Sequence, residues 1–285
     1  APMSAKKVVR LDDIGPLAER YEVFLLDQFG VLHDGSAPYP GAVAALSALK
    51  DAGKTVVLIS NSGKRARPNE DRLLKLGFAA GSWDHFVSSG EVAWRSFQEM
   101  AATGALPPDT NCLLISRDDD RSAIVGLPFV LTGAGDKAEL VLISASEGDR
   151  YDLDHYRRLL APAAARQVPC FCTNPDRIML TAVGPRFGAG EIADLYENLG
   201  GTVTRIGKPY KAIYDAALAL AGKPDRATVV CVGDSVEHDI AGGNGAGIAT
   251  ALVLSGILAD TPDLAVVFDE EKAWPDYITT SFSLR

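Results

Sequence analysis

Short apolar runs alternate with helix-forming stretches along this chain, and this alternation restricts its fold more than any other feature. The runs at 23–26, 55–59, 228–232 and 249–254, with a weaker one at 85–87, have the length of strands and fall far short of a membrane span. Strands that alternate with helices build a parallel sheet covered by helices on both faces. The sequence therefore predicts an α/β protein with a doubly wound, Rossmann-like parallel sheet.

The composition excludes several classes of protein. Hydrophobic residues make up 47% of the 285 residues and charged residues 23%, as in folded globular chains. The 37 acidic and 28 basic side chains give a net charge of −9, which disfavours binding to nucleic acid or to an anionic membrane. The four cysteines have neither the spacing of a disulfide scaffold nor that of a zinc site, so we expect free thiols and a cytoplasmic protein. A small molecule is the expected ligand.

A second domain is expected in the middle of the chain. The segment 106–109 (LPPD) has the composition of a linker, and the residues that follow it carry their own short apolar runs and helical stretches. Both flanks continue the first pattern, and about 100 residues is an ordinary domain size. We therefore predict a core domain made of residues 1–105 and 206–285, with an α/β domain inserted at 106–205.

Polar residues follow the first two apolar runs, at the place where ligands bind in a doubly wound sheet. Asp27 comes directly after the run at 23–26, and Ser60 and Asn61 follow the run at 55–59. Each signal alone also has a structural explanation, because an Asp near a Gly is typical of a turn and a Ser is typical of a helix N-cap. These residues become informative in combination with others farther along the chain.

The last third of the chain adds a lysine and two carboxylates in comparable positions. Lys208 precedes a predicted helix at 210–221, where its charge would reinforce a helix end that attracts anions. Asp234 and Asp239 lie in a glycine-rich loop after the run at 228–232. Closely spaced carboxylates repel each other, and a divalent cation with oxygen ligands is the simplest way to keep both ionised.

In this order, the four elements resemble the haloacid dehalogenase (HAD) superfamily, and the resemblance covers nearly the whole chain. It is most specific in four segments, namely YPGA at 39–42, KTVVLISN at 54–61, TNPD at 173–176 and GKP at 207–209. These segments are similar to the class IIA branch, which includes nitrophenylphosphatase-like and NagD-like phosphatases. The stretch between Ser60 and Lys208 has room for the large α/β cap domain of that branch.

The resemblance implies a hydrolase that acts on a small phosphomonoester such as a sugar phosphate or a nucleotide-like metabolite. Asp27 would attack phosphorus and form an aspartyl-phosphate, which water then hydrolyses. Ser60 and Asn61 would bind the phosphoryl oxygens, and Lys208 would screen the charge between nucleophile and phosphate.

The resemblance also implies that Mg²⁺ is the cofactor. The Asp27 carboxylate, the backbone carbonyl of Phe29 and the Asp234 carboxylate would hold it, with Asp239 bound through water or close behind. In the cap, Asn174, Asp176 and Arg177 would be candidates for substrate binding. Relatives often form cap-to-cap dimers, so a homodimer is a further expectation.

One residue departs from the family pattern. Phosphatases of this superfamily carry a second Asp two residues after the nucleophile, where it protonates the leaving oxygen and later activates water, but here that residue is Phe29. A general acid or base contributes about 10²- to 10⁴-fold. We therefore expect slow turnover of substrates with poor leaving groups, unless His33 or Asp34 replaces the missing acid.

Two other functions stay open. Phe29 is compatible with a catalytically weakened protein that binds or senses a phosphorylated metabolite. Dehalogenase-type chemistry, in which Asp27 displaces halide from carbon, is a minor alternative. The position of the cap counts against it, and so does the pair Asp234 and Asp239, which has little purpose without a metal.

Overall fold

Helices and strands alternate along the chain in the computed structural model, which describes residues 6–285. Residues 1–5, with which the predicted core domain begins, lie outside the described part. The strands are β1 (Val9–Leu11), β2 (Val23–Leu26), β3 (Thr55–Ser60), β4 (His85–Ser88), β5 (Thr110–Ile115), β6 (Phe129–Leu131), β7 (Leu140–Ile143), β8 (Cys170–Cys172), β9 (Ile178–Thr181), β10 (Gly184–Phe187), β11 (Val203–Arg205), β12 (Val229–Gly233), β13 (Ala249–Val253) and β14 (Tyr277–Thr279). The α-helices are α1 (Gly15–Arg20), α2 (Ala42–Asp51), α3 (Ala66–Lys75), α4 (Ser89–Ala102), α5 (Leu153–Ala165), α6 (Ala189–Asn198), α7 (Lys211–Leu220), α8 (Ala241–Gly245) and α9 (Leu264–Glu271).

The chain divides into two compact units. The first consists of the residues up to Ser60 together with Arg67–Val87 and Lys208–Arg285, and the second consists of Asn61–Ala66 and Ser88–Gly207. The longer stretch of the second unit begins at Ser88, ahead of the linker-like segment at which we predicted the boundary at residue 106. Its end at Gly207 lies close to the predicted residue 205.

The first unit contains a seven-stranded sheet in the order β1-β14-β13-β12-β2-β3-β4. Its pairings from β1 through to β3 are parallel. Strands β2 and β12 lie side by side in the middle, and all their residues are buried, as expected of strands covered on both faces. The chain continues from β2 to β3 on one side and from β12 to β13 on the other, so the strand order reverses between them. Open α/β sheets bind their ligands at such a point.

The second unit contains a five-stranded parallel sheet in the order β11-β8-β7-β5-β6, and β9 and β10 form a separate antiparallel hairpin. Helix α4 belongs to this unit because the ring of Phe97 packs edge-on against Phe129 and Phe171, with ring centroids 5.5 and 5.0 Å away. This aromatic packing explains why α4, which precedes the predicted linker, belongs to the second unit.

The predicted α/β class and the doubly wound parallel sheet are confirmed. The predicted helix at 210–221 corresponds to α7, whereas the edge strands β1 and β14 and the hairpin were not predicted. All four cysteines are buried and not paired in disulfides. Within residues 6–285, no helix combines the length and the apolar character needed to cross a membrane.

Candidate active site

The end of β2 places Asp27 beside the end of β12. The Asp27 backbone N–H donates to the Val232 carbonyl oxygen at 3.0 Å, which continues the parallel pairing one residue beyond β2. The Asp27 carboxylate is buried, and its Oδ1 accepts the backbone N–H of Gln28 at 2.8 Å. Asp234 follows directly after β12. The strand-end position predicted for both acids therefore brings them to the same edge of the sheet.

Three carboxylates and one ammonium group form a buried cluster at this edge. One carboxylate oxygen each from Asp27, Asp234 and Asp239 lies within 4.8 Å of the other two. The Lys208 Nζ lies 3.1 Å from Asp27 Oδ1 and donates to Asp239 Oδ1 at 2.7 Å, and only 3% of the Lys208 side chain is exposed. With all groups ionised, the cluster keeps a net negative charge. Its donor set of oxygens fits a hard divalent cation such as Mg²⁺.

Burial, together with the neighbouring charges, shifts the pKa values of two of these acids. Burial raises the pKa of Asp27 well above its usual value, and Lys208 opposes this effect. Burial and the neighbouring Asp239 raise the pKa of Asp234 to about 6. A bound cation would favour the ionised forms and reverse both shifts.

Glycines allow the main chain to approach Asp234 closely. A Cβ atom on Gly30, whose φ is +82°, would lie 2.1 Å from Asp234 Oδ2, and a Cβ on Gly256 would lie equally close. The backbone N–H of Ile257 donates to the same oxygen at 3.1 Å. Any side chain at Gly30 or Gly256 would therefore displace the Asp234 carboxylate.

Asp239 has a positioning role that its sequence spacing did not predict. It lies in a π-helical turn, Val236–Ile240, a feature found frequently at functional sites. Its Oδ2 accepts the Ser235 backbone N–H at 3.1 Å, while its Oδ1 accepts the Lys208 ammonium. Both Asp239 oxygens therefore accept hydrogen bonds, one from the backbone of Ser235 and one from Lys208.

A buried polar network connects Ser60 to the loop after β2. The Gln28 side chain is fully buried, and its Nε2 donates to Ser60 Oγ at 2.9 Å and to Asn69 Oδ1 at 3.0 Å. Gln28 Oε1 lies 3.2 Å from His33 Nε2. This network fixes the Ser60 hydroxyl as an acceptor from the Gln28 side-chain amide. Nothing in the sequence pattern distinguishes Gln28 or Asn69 as a site residue.

The contacts of His33 and Asp34 argue against either residue as the replacement acid. His33 Nδ1 accepts the Gly35 N–H at 3.0 Å, so Nε2 carries the proton and donates to Gln28. Burial and the nearby Arg72 lower the pKa of His33 to about 4. The Asp34 carboxylate accepts backbone N–H groups of Ser36 and Ala37 in an exposed turn. Neither side chain has a proton available for a leaving group near neutral pH.

Phe29, whose backbone carbonyl is a predicted metal ligand, points its ring away from the core. The ring is 39% exposed and packs against the His33 ring, with centroids 4.6 Å apart. The Arg72 guanidinium carbon lies 5.2 Å from the Phe29 ring centroid. Arg72 has no distinguishing signal in the sequence, because it lies within a mainly polar helix.

The predicted substrate residues of the second unit form local contacts there. Asn61 Nδ2 donates to Asp176 Oδ1 at 3.0 Å, and Asn174 Oδ1 accepts the Asp176 backbone N–H at 3.3 Å. Arg177 forms an ion pair with Asp194 of α6 at 2.9 Å. The structure thus groups Asn61 with Asn174 and Asp176, whereas the Arg177 side chain contacts α6.

Known proteins match this chain over most of its length. A family model described as haloacid dehalogenase-like hydrolase matches residues 24–129, and a HAD-hydrolase-like model matches residues 205–283. Chronophin of Rattus norvegicus is 30% identical over 253 residues, which cover 82% of this chain and 76% of that protein.

Solved structures share the fold. A haloacid dehalogenase-like hydrolase from Brucella suis 1330 has a TM-score of 0.82 at 24% identity, over 95% of this chain and 99% of that chain. The p-nitrophenyl phosphatase of Archaeoglobus fulgidus has a TM-score of 0.70 at 26% identity, over 92% and 97% of the two chains. The family matches and the chronophin alignment agree with the strand-end acids, and the chain belongs to the haloacid dehalogenase-like hydrolases, in their class IIA branch.

Proposed function

We propose that the protein is a Mg²⁺-dependent phosphatase of a small phosphorylated metabolite that reacts through an aspartyl-phosphate on Asp27. The observation that carries the proposal is the buried cluster of Asp27, Asp234 and Asp239 around Lys208. A p-nitrophenyl phosphatase among the structural relatives supports the reaction class.

The contacts of Asp27 suit a nucleophile. Its Oδ1 is held by the Gln28 N–H and by Lys208 Nζ, which orient the carboxylate. Attack on phosphorus forms the acyl-phosphate bond and breaks the bond to the substrate alcohol, and water then cleaves the acyl phosphate. Lys208 screens the repulsion between the carboxylate and the phosphoryl oxygens. Ser60 and Asn61, at the end of β3, are proposed to bind those oxygens.

Mg²⁺ would be held by Asp27, Asp234 and the carbonyl of Phe29, and it would neutralise charge on the phosphoryl group. Asp239 contributes by fixing Lys208 and by adding to the negative potential that attracts a cation.

The environment of residue 29 determines which leaving groups react. Phe29 cannot donate a proton, and both ring nitrogens of His33 are engaged. We therefore expect nitrophenyl phosphate and acyl phosphates, whose leaving groups need no protonation, to react faster than sugar phosphates by about 10² or more.

Phosphate release from p-nitrophenyl phosphate, acetyl phosphate and glucose 6-phosphate, with Mg²⁺ or with EDTA, tests the proposal. The wild type should require Mg²⁺, and Asp27→Asn should lose turnover because an amide cannot act as the nucleophile. Asp51→Asn, at an exposed position at the end of α2, is the matched control. Equal rates in wild type and Asp27→Asn, or full activity in EDTA, would contradict the mechanism.

A metabolite-binding protein without turnover is the second candidate, and the lack of an acid at Phe29 is the observation that favours it. It predicts that phosphorylated metabolites raise the melting temperature while no substrate releases phosphate. Halide release from chloro acids without metal would instead indicate dehalogenase chemistry. A cytoplasmic location and a homodimer are also proposed, the former because the four buried thiols are unpaired.

A further inference from the structure

Arg72 on helix α3 is a partly buried arginine that lies against an aromatic ring. Its guanidinium is half-buried and lies above the exposed Phe29 ring, with 5.2 Å between the guanidinium carbon and the ring centroid. Among residues 6–285, no side chain or carbonyl forms a hydrogen bond or an ion pair with it. Burial lowers the pKa of Arg72, and no carboxylate counteracts this effect. A partly dehydrated guanidinium without a carboxylate partner is well suited to an anionic acceptor that a ligand supplies.

Arg65 provides an internal comparison. Its guanidinium also lies over an aromatic ring, 3.7 Å from the centroid of Trp94, but it forms two hydrogen bonds with the Glu91 carboxylate at 2.8 and 3.0 Å. Arg117, another partly buried arginine, is likewise paired with Asp149 on both of its terminal nitrogens. Stacking on a ring therefore does not explain why Arg72 lacks a carboxylate partner.

The position of Arg72 is fixed relative to the catalytic loop. Asn69 lies one helical turn earlier on the same face of α3 and accepts the Gln28 side-chain amide at 3.0 Å. Phe29, whose ring lies beneath the Arg72 guanidinium, follows Asp27 by two residues. The Cα atoms of Asp27 and Phe29 are therefore at most about 7 Å apart. The guanidinium thus lies on a helix that is hydrogen-bonded to the loop after Asp27, above a ring that solvent can reach.

We propose that Arg72 and Phe29 form a subsite for a second anionic group of the substrate, a carboxylate or a second phosphate, next to the phosphoryl group that reacts at Asp27. This inference rests on the proposed phosphatase function and names its substrate class. The planar guanidinium can donate two parallel hydrogen bonds to either anion. The exposed face of Phe29 would contact the carbon chain that links the two anionic groups.

The test compares substrates that differ in a single group. D-3-phosphoglycerate and glycerol 3-phosphate of the same configuration differ only in carboxylate against hydroxymethyl, and glucose 1,6-bisphosphate against glucose 6-phosphate tests a second phosphate. The measured quantity is the ratio of kcat/KM within each pair. The pair with the larger ratio in the wild type identifies the anion that is recognised. In Arg72→Gln that ratio should fall by about 10- to 100-fold, as expected for loss of a charged hydrogen-bonding group.

Two further variants make the result specific. Arg72→Lys keeps the positive charge but loses the two parallel N–H donors of the guanidinium, and it should retain part of the wild-type kcat/KM ratio. Lys75→Gln removes one charge from an exposed position of the same helix and should change the ratio by less than about twofold. If Arg72→Gln keeps the wild-type ratio in both pairs while phosphate is released, the subsite is refuted and the phosphatase function stands.

Binding separates failure of the subsite from failure of the phosphatase function. Isothermal titration of the four compounds into Asp27→Asn protein, with and without Arg72→Gln, gives the same ratios as dissociation constants. If Arg72→Gln lowers the ratio of dissociation constants and the wild type shows no turnover, the subsite is supported and the phosphatase function is rejected. Equal ratios in both titrations would reject the subsite whatever the activity.

Discussion

Replacement of Lys208 by Met should reveal how the active-site cluster is balanced electrostatically. The Lys208 ammonium contacts Asp27 and Asp239, and its side chain is almost completely buried. Met keeps the apolar stem and removes the charge, so the three carboxylates lose their only adjacent cation among the described residues. Breaking a buried ion pair from one side costs about 3–5 kcal/mol, a large part of the roughly 5–15 kcal/mol by which a domain is stable.

Mg²⁺ should compensate for this loss. Without the ammonium, the site is more negative and should bind the cation more tightly, and each tenfold gain in affinity adds about 1.4 kcal/mol to the free energy of unfolding at a fixed excess of metal. Urea denaturation of wild type and Lys208→Met, in EDTA and in saturating Mg²⁺, measures both effects. The variant should be less stable in EDTA and should gain more from Mg²⁺ than the wild type does.

Lys54→Met is the matched control. Lys54 is also a buried lysine, but its partner Glu22 lies 3.5 Å away and has a side chain that is 66% exposed. Water can solvate Glu22 after the substitution, so we expect a change within about 1 kcal/mol that does not depend on Mg²⁺. Lys208 would not be the counter-charge of the cluster if Lys208→Met were no less stable in EDTA than Lys54→Met, or if it gained less from Mg²⁺ than the wild type.

Three further substitutions test the surroundings of the cluster. Gly30→Ala should weaken Mg²⁺ binding by at least about tenfold in calorimetric titration, because the new Cβ would lie 2.1 Å from Asp234 Oδ2. The control is Gly53→Ala, which has a similar positive φ and no atom within 4 Å of the new Cβ, and it should leave the Mg²⁺ affinity unchanged. The pKa of Asp234 is about 6 in the folded protein, against an ordinary value of 3.8, so the folded state binds the proton more tightly and loses this stabilisation as the pH rises. In EDTA, the unfolding free energy of the wild type relative to that of Asp234→Asn should therefore fall by about 2–3 kcal/mol between pH 4 and pH 6. A rise in this difference would contradict the raised pKa. Gln28→Leu should lower the unfolding free energy by about 1–3 kcal/mol, because it removes the buried hydrogen bonds that Gln28 forms with Ser60, Asn69 and His33. Exposed Gln98→Leu should change the unfolding free energy by less than about 0.5 kcal/mol, and equal effects of the two substitutions would mean that the network is unimportant.

The central acids could be predicted because their positions depend on local sequence and on one rule of topology. A buried run places the residue after it at the carboxyl edge of a parallel sheet, so Asp27 and Asp234 converge once β2 and β12 are neighbours. The domain boundary depended on tertiary packing instead. The segment 106–109 is a loop, but Phe97 ahead of it packs on the sheet of the second unit, and this contact has no signal in the linker composition.

The supporting residues could not be predicted because nothing local distinguishes them from solvated neighbours. Helix α3 has the sequence ARPNEDRLLK, in which Asn69 is buried and Arg67 is exposed. The burial of Asn69 follows from Gln28, which lies on a different element and is itself an ordinary polar residue in the sequence. Whether an arginine has a carboxylate partner is also a tertiary property, as the contrast between Arg65 and Arg72 shows.

Phe29 illustrates how a structure changes the meaning of a missing residue. In the sequence it is the loss of a general acid, and the simplest repair is Phe29→Asp. In the structure the Phe29 ring packs against His33 on one side and lies beneath the Arg72 guanidinium. An aspartate at this position would therefore place a carboxylate beside a guanidinium that has no other partner among the described residues. That ion pair would lower the pKa of the new acid and reduce its ability to protonate a leaving group. It would also occupy the group that we assign to the second anion of the substrate. At this position, proton donation and recognition of a second anion compete for the same space, and Phe29 is the residue that leaves Arg72 available.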